Sequence, residues 1–445
     1  MQTIDTLISA RWVIPVEPRG VVLPHHAVAI DGDRLLAIVP HAEAEARFAP
    51  REHRVLTHHA LIPGLINAHT HAAMSLFRGL ADDLPLEQWL HGHIWPAEAR
   101  WVNHRFCHDG VLLSAAEMLR GGTTCINDMY FFPDATAQAA REAGIRAHVG
   151  LILIDFPTAW AKTADEYFAK GLALRDDLRA SGLITTALAP HAPYTVSDDS
   201  LTRARTLAEQ LDLQIHMHVH ETRQEVEDSV ARYGLRPLER LRRMGLVSPR
   251  LAAVHMTTLS DDEIALLATE GAHVVHCPES NLKIASGLCP VARLLRAGVS
   301  VALGTDGAAS NNDQDMLGEM RTAALLAKGI AGDPTAVPAH EALAMATLYG
   351  ARALGLDAQI GSLVAGKAAD VVAVNLGDPL TQPVYDAVSH LVYAAARADV
   401  SDVWVAGRPL LRDGAFTQLD ITAISEAASD WAQRIAAERT AAGSL

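Results

Sequence analysis

Eight apolar runs of strand length, separated by helix-length amphipathic segments, constrain this chain more than any other feature. The runs fall at 61–68, 123–129, 145–153, 184–189, 213–219, 251–255, 272–277 and 299–304, and segments such as 109–120, 165–180, 200–211, 261–270 and 291–297 lie between them. A run that is apolar on both faces belongs in a sheet covered on both sides, as parallel sheets are. Repeated β-then-α order makes successive strands parallel, and eight such units are the number that closes into a barrel. An α/β fold with a (β/α)8 TIM barrel over 61–360 is expected, with an open doubly wound sheet as the alternative.

The flanks have a different texture. Residues 1–60 read as short strands and turns without helical periodicity, and β-rich stretches return at 369–374 and 400–411. The two ends are expected to meet as one composite β domain, 1–60 with 361–420, so that the barrel is an insert. Residues 421–445 have helical spacing and read as a C-terminal helix.

Charge narrows the partners. Lys and Arg number 37 against 52 Asp and Glu, a formal charge of −15 that repels phosphate backbones and anionic lipid, so neither nucleic acid nor membrane is expected as a partner. Four cysteines without a CxxC pair, and no secretory apolar stretch near Met1, point to a cytoplasmic protein with reduced thiols. The longest uncharged run, 181–197, is broken by Pro190, His191 and Pro193 and is too short and polar to span a bilayer.

Histidine is abundant, at 22 residues, but placement matters more than number. Reactive groups of a TIM barrel sit at the C-terminal ends of its strands. His69 and His71 end the first run, His191 follows the fourth, His218, His220 and Glu221 end the fifth, His255 ends the sixth, His276 the seventh, and Asp306 follows the eighth. Any one of these is most simply a packed or solvated histidine. Their joint placement instead describes imidazole and carboxylate ligands for a divalent transition metal, zinc above all. His216, His218 and His220 share one strand face, so spacing alone does not choose among them. His216 is expected to pack inside the barrel. If the strand ends near Val219, both His218 and Glu221 face the site and His220 stands outside it. Glu221 then has the place of a general acid and base beside the metal.

The segments Pro63-Gly64-Leu65-Ile66-Asn67-Ala68-His69-Thr70-His71, His218-Val219-His220-Glu221-Thr222, His255, His276-Cys277-Pro278-Glu279-Ser280-Asn281-Leu282-Lys283 and Gly304-Thr305-Asp306-Gly307 closely resemble the amidohydrolase superfamily. More narrowly they resemble its 5-methylthioadenosine/S-adenosylhomocysteine deaminase branch, a relative of the triazine chlorohydrolases. The resemblance implies one divalent metal ion per subunit, usually Zn2+, held by His69, His71, His218 and Asp306. Glu221 and His255 would act on water and substrate, and Asp306 would also carry a proton. Members with two metals often bring a bridging Lys to the end of the fourth strand. Ala189-Pro190-His191 stands there instead, so one ion is expected, with His191 turned to the substrate.

Trp89 and Glu98 match positions that hold the nucleoside in adenosine-type members, the indole by stacking and the carboxylate by accepting from vicinal ribose hydroxyls. Arg146 is a candidate for a substrate carboxylate such as that of homocysteine. The plainer readings are loop packing for Trp89, solvation for Glu98 and a salt bridge for Arg146. The implied function is hydrolytic deamination of 5′-methylthioadenosine or S-adenosylhomocysteine, with adenosine a further candidate, to the inosine derivative and ammonia. Two alternatives stay open at this point: action on another ring (guanine, 8-oxoguanine, cytosine or a chlorinated triazine), or a barrel that serves only as a scaffold. The partners expected are a small nucleoside and further copies of the chain in a dimer or tetramer.

Overall fold

The computed structural model describes residues 1–441. Strands Leu65–Thr70, Thr123–Asp128, Arg146–Leu153, Ile184–Pro190, Ile215–Val219, Leu251–His255, His273–His276 and Val301–Leu303 form one eight-stranded sheet in sequence order. Every adjacent pair is parallel. The eighth strand returns to the first, where the Asp306 N–H donates to His69 O (3.0 Å) and the Thr305 N–H to Asn67 Oδ1 (3.0 Å). Gly304 permits that closure, since a Cβ there would lie 2.7 Å from the His69 nitrogen. The first three strands are buried along their whole length, which is why they read as continuous apolar runs. The fold is a TIM barrel, and the open sheet is set aside.

Helices His104–Arg120, Pro133–Ala143, Ala164–Leu178, Asp198–Leu211, Arg223–Tyr233, Asp261–Glu270 and Val291–Arg296 lie between successive strands. Five of them begin on a side-chain cap, from Asn103, Thr163, Ser197, Thr222 and Ser260. Such a cap satisfies an orphan N–H and stabilises the helix start by about 1 kcal/mol.

The second sheet joins the two ends of the chain. Gln2–Val13 pairs antiparallel with Leu23–Asp31 and parallel with Phe48–Pro63, and Phe48–Pro63 pairs with Val371–Asn375. Val400–Val405, Arg408–Arg412 and Ala415–Phe416 extend it. Two local expectations change. The run 61–68 is divided between the sheets at Gly64, where a Cβ would lie 1.8 Å from Thr124 Oγ1, so only a glycine passes. A short helix, His41–Arg47, interrupts the N-terminal strands; it buries only Ala44, too little for a periodic signal. The last helix, Ile421–Ala441, is pinned to the barrel by the Trp431 indole, which donates to Asp109 (3.0 Å); the rest of the expected helical stretch, 442–445, lies outside the described residues. No helix among the described residues is long and apolar enough to cross a membrane.

Candidate metal centre and active site

The strand ends converge as the barrel requires. His69 Nε2 lies 3.3 Å from Asp306 Oδ1, His71 Nε2 lies 3.3 Å from the same oxygen, and His218 Nε2 lies 3.2 Å from His69 Nε2. Ligand atoms bound at ~2.0–2.1 Å to a tetrahedral ion stand about 3.3 Å apart, the spacing of each of these contacts, which fall in two groups that share His69: His69 with His71 and Asp306, and His69 with His218 and His255. Burial holds His69 and His218 below the usual imidazole range, leaving them neutral with a lone pair to give. Burial works to raise the Asp306 carboxyl, but the His69 ring beside it, with His71 and His255, outweighs burial and holds the group below its ordinary value. The set fits a divalent metal ion.

Contacts behind the cluster fix each ring. His71 Nδ1 donates to Met129 O, which turns Nε2 to the centre. His69 Nδ1 and His216 Nε2 are 2.8 Å apart inside the barrel, so His216 packs against a ligand candidate rather than joining it. Ser280 Oγ donates to Asp306 Oδ2 (2.7 Å) and the Gly307 N–H to Oδ1 (2.9 Å). His255 also stands beside His69 and His218 and proximity alone would admit it as a ligand. Asn281 Nδ2 donates to its Nδ1 (3.0 Å), which leaves the proton on Nε2, facing Glu221 at 3.8 Å. That arrangement suits a hydrogen-bond donor better than a ligand. His255 (φ 78°) and Asp306 (φ 63°) both hold left-handed backbone, a strain that non-glycine residues keep only where packing over-determines them.

Glu221 owes its position to a turn. The strand stops at Val219, His220 takes a left-handed φ of 55°, and Thr222 caps the next helix. The Glu225 carboxylate accepts from the His220 N–H (3.0 Å) and the Glu221 N–H (2.7 Å), clamping the turn. His220 is carried away from the cavity, its ring bonded to Thr258 O (2.9 Å) and the Leu238 N–H (3.1 Å). Burial, then the charges of Asp306 and Glu225, push the Glu221 carboxyl well above its ordinary value. A carboxyl raised in this way is better suited to give a proton as well as take one.

A cavity of about 430 Å³ opens beside the cluster, within the range of small-molecule sites (roughly 300–1,000 Å³). His71, His191, His218, Glu221, His255 and Asp306 line it, together with Trp89, Glu98 and Tyr130, whose ring centroid lies 6.2 Å from that of His71. The Trp89 N–H donates to Ala81 O (3.1 Å), so the ring face and not the donor is left for a ligand. Glu98 accepts from the Tyr130 hydroxyl (2.7 Å), and burial pushes its carboxyl up to about 7 against that bond. The His191 ring lies 4.9 Å from the His218 ring, with Nδ1 bonded to Thr195 Oγ1 (2.9 Å).

Arg146 is a correction. It begins the third barrel strand, and its guanidinium donates to both carboxylate oxygens of Asp370 (3.0 and 3.1 Å) in the terminal segment. The strand runs roughly 20 Å from there to the pocket end, so Arg146 does not meet the cavity. Tyr130, Glu225, Ser280 and Asn281 were assigned no role from the sequence. Tyr130 stands two residues beyond a strand ending at Asp128, and Thr222-x-x-Glu225 has the spacing of a capping box; both signals were legible.

A closed parallel barrel whose strand ends gather three histidines, an aspartate and a buried glutamic acid is a metal-dependent hydrolase of the barrel type. The chain belongs to the amidohydrolase family, whose model matches residues 60–410. It is 50% identical over 437 residues to a protein of Teredinibacter turnerae named 5-methylthioadenosine/S-adenosylhomocysteine deaminase, covering 98% of this chain and 99% of that one. A 5'-deoxyadenosine deaminase of Methanothermobacter thermautotrophicus is 48% identical over 368 residues, 83% of this chain and 86% of that one. The crystal structure of an adenosine deaminase from Xanthomonas campestris with bound zinc superposes with a TM-score of 0.97 at 54% identity, covering 98% of this chain and 99% of that one.

Proposed function

We propose that this chain is a deaminase of 5′-modified adenosines, the 5′-methylthioadenosine and S-adenosylhomocysteine of its relatives' names, converting each with water to the inosine derivative and ammonia. The observation that carries this reading is the buried Glu221 beside the candidate ligands in a cavity that Glu98 and the Trp89 ring also line. His69, His71, His218 and Asp306 would hold one ion, Zn2+ by the preference of imidazole and carboxylate and by the zinc of the Xanthomonas neighbour. A divalent ion held there supplies a Lewis acid that makes water a usable nucleophile near neutral pH.

The residues do the rest. As the water oxygen adds to C6 of the purine, the Glu221 carboxyl gives a proton to N1, which takes the electron pair displaced from the C6–N1 double bond. The His255 Nε2–H orients the incoming oxygen. Asp306 takes one water proton and delivers it to the amino group, which leaves as ammonia when the C6–N bond breaks, and the proton still on the new C6 hydroxyl passes to Glu221, restoring its carboxyl as the C6 carbonyl forms. Glu98 accepts from the vicinal ribose hydroxyls, Trp89 covers the sugar and base with its ring, and His191 bonds the nucleoside from the fourth strand. Residues 1–60 with 361–420 serve as a composite β domain, 61–360 as the catalytic barrel and Ile421–Ala441 as a C-terminal helix.

Ammonia release and the ultraviolet change from an adenosine to an inosine chromophore, measured across nucleosides, nucleobases and a chlorotriazine with metal content determined in parallel, test the proposal. Turnover of an adenosine derivative with about one ion per chain is expected. Turnover of guanine, cytosine or the triazine alone would move the chain to another substrate, and a protein that takes up no metal and deaminates nothing would leave only a scaffold.

A further inference from the structure

The cavity discriminates by charge. Outside the candidate ligands its wall is largely apolar, with Trp89, Leu90, Ile94, Trp95, Ile154 and Phe156 in it. Among the described residues that line the cavity there is no lysine or arginine, and the ionisable groups it does hold besides the histidines, Glu98, Glu221, Asp306, Tyr130 and Tyr194, are neutral or negative. The cations next to the lining are committed elsewhere. Arg100 pairs with Glu438 (2.7 Å), Lys283 with Asp82 (2.5 Å) and with Asn312, and the Lys162 ammonium donates to Thr158 O (2.5 Å). Arg146, the one cation that the sequence suggested for a substrate carboxylate, is bound to Asp370.

With the purine C6 at the donor set and the ribose hydroxyls at Glu98, the 5′ substituent faces this wall. A methylthio or methyl group gains there by leaving water, and the thioether sulfur can also rest against the Trp89, Trp95 or Phe156 ring. A homocysteine tail brings a carboxylate and an ammonium to a surface that offers the carboxylate no partner. We infer that this enzyme selects adenosines with an uncharged, apolar 5′ substituent, such as 5′-methylthioadenosine and 5′-deoxyadenosine, over S-adenosylhomocysteine. The inference rests on the deaminase reading above and narrows it.

The test is kcat/KM of the metal-loaded enzyme for 5′-methylthioadenosine, 5′-deoxyadenosine, a 5′-butylthio analogue that has the reach of homocysteine without its charges, and S-adenosylhomocysteine. The three neutral compounds are expected within about tenfold of one another and S-adenosylhomocysteine roughly 10²-fold lower, a discrimination of the size that wall contacts supply. S-adenosylhomocysteine used as well as 5′-methylthioadenosine overturns the inference and leaves the deaminase reading standing. A butylthio analogue rejected as strongly as S-adenosylhomocysteine overturns it too, because length and not charge would then decide. Inertness towards all four overturns the deaminase reading itself. Phe156→Arg, at a position 41% exposed where a guanidinium can be solvated, should raise the S-adenosylhomocysteine to methylthioadenosine ratio by about tenfold. An unmoved ratio in a folded variant takes the discrimination away from the wall; should the variant not fold, the four-compound comparison on the unaltered enzyme still decides.

Discussion

The two ends of one cavity are built by different means. At the metal end every reactive side chain comes from a barrel strand end or the residues just after it, and His69, His71, His255 and Asp306 each have a further hydrogen-bonded partner behind them. At the far end the wall comes largely from an excursion between the first strand and the helix His104–Arg120, where Leu86–Trp89, a widened turn Leu90–Ile94 and Trp95–Trp101 follow one another without a side-chain cap. On the proposed reading the metal end would fix the chemistry by position in the barrel, and the far end would set which molecule is admitted. A mutation at the first should therefore change kcat or metal retention, and one at the second should change selectivity among substrates.

The largest expected effect lies at Glu221. Glu221→Gln keeps the shape and removes the transferable proton, so kcat for 5′-methylthioadenosine should fall by about 10³-fold while metal content stays the same, a loss in the range of general acid–base groups. Stopped assays with metal analysis check it, and an unchanged kcat would remove Glu221 from the reaction.

Arg146 sharpens the contrast from outside the cavity. Arg146→Met leaves the Asp370 carboxylate buried with only the Ala406 N–H (2.8 Å) of its present partners, and losing one member of a buried pair costs about 3–5 kcal/mol. Denaturant unfolding should show that loss while KM for S-adenosylhomocysteine in the folded enzyme is unmoved. A selective rise in that KM would return Arg146 to the substrate.

Much of this contrast could be read before any coordinates. His69, His71, His218, His255 and Asp306 were legible because a barrel strand end is a place as well as a sequence position, and the eight runs located all the ends. The same rule speaks against Arg146, which opens its strand and so lies at the opposite rim, however well a guanidinium suits a carboxylate. Gly64 was harder, because a continuous apolar run does not show that its two halves enter different sheets. The far wall was illegible for a physical reason. Ile94 and Trp95 sit where a widened turn passes into a short helix, and Ile154 and Phe156 follow the third barrel strand, pieces too short for a 2.0 or 3.6 residue period to link burial to spacing. Trp89 and Glu98 were found there only through resemblance.

His216 tests whether the metal end needs its inner layer. His216→Phe removes the acceptor 2.8 Å from His69 Nδ1, freeing that ring to turn and change tautomer. Metal affinity, measured by competition with a chelator, should drop by roughly 10–100-fold, the usual cost of losing such a partner. At saturating metal kcat should stay near that of the unaltered enzyme. His220→Phe, beyond the cavity wall, should leave metal affinity where it is; equal losses in both would mean that general packing, not the His69 contact, holds the ion.

The smallest effect is expected from Glu98, and it is the one that titrates. Burial raises this carboxyl to about 7, so it is mostly anionic above that pH and mostly protonated below it. An anionic carboxylate accepts from both ribose hydroxyls, whereas the protonated group keeps one proton of its own to place, and the difference between a charged and a neutral acceptor is about 1–2 kcal/mol. The sign follows: kcat/KM for 5′-methylthioadenosine should fall, through KM, by about tenfold as pH drops through 7. Glu98→Gln should show the lower value at every pH and lack that limb. Because the hydroxyls are common to all the adenosines, the ratio between 5′-methylthioadenosine and S-adenosylhomocysteine should stay constant across the same pH range. A ratio that shifts with the titration would place the Glu98 charge against the 5′ tail and not the sugar, and the wall opposite the metal would then have two determinants of selectivity instead of one.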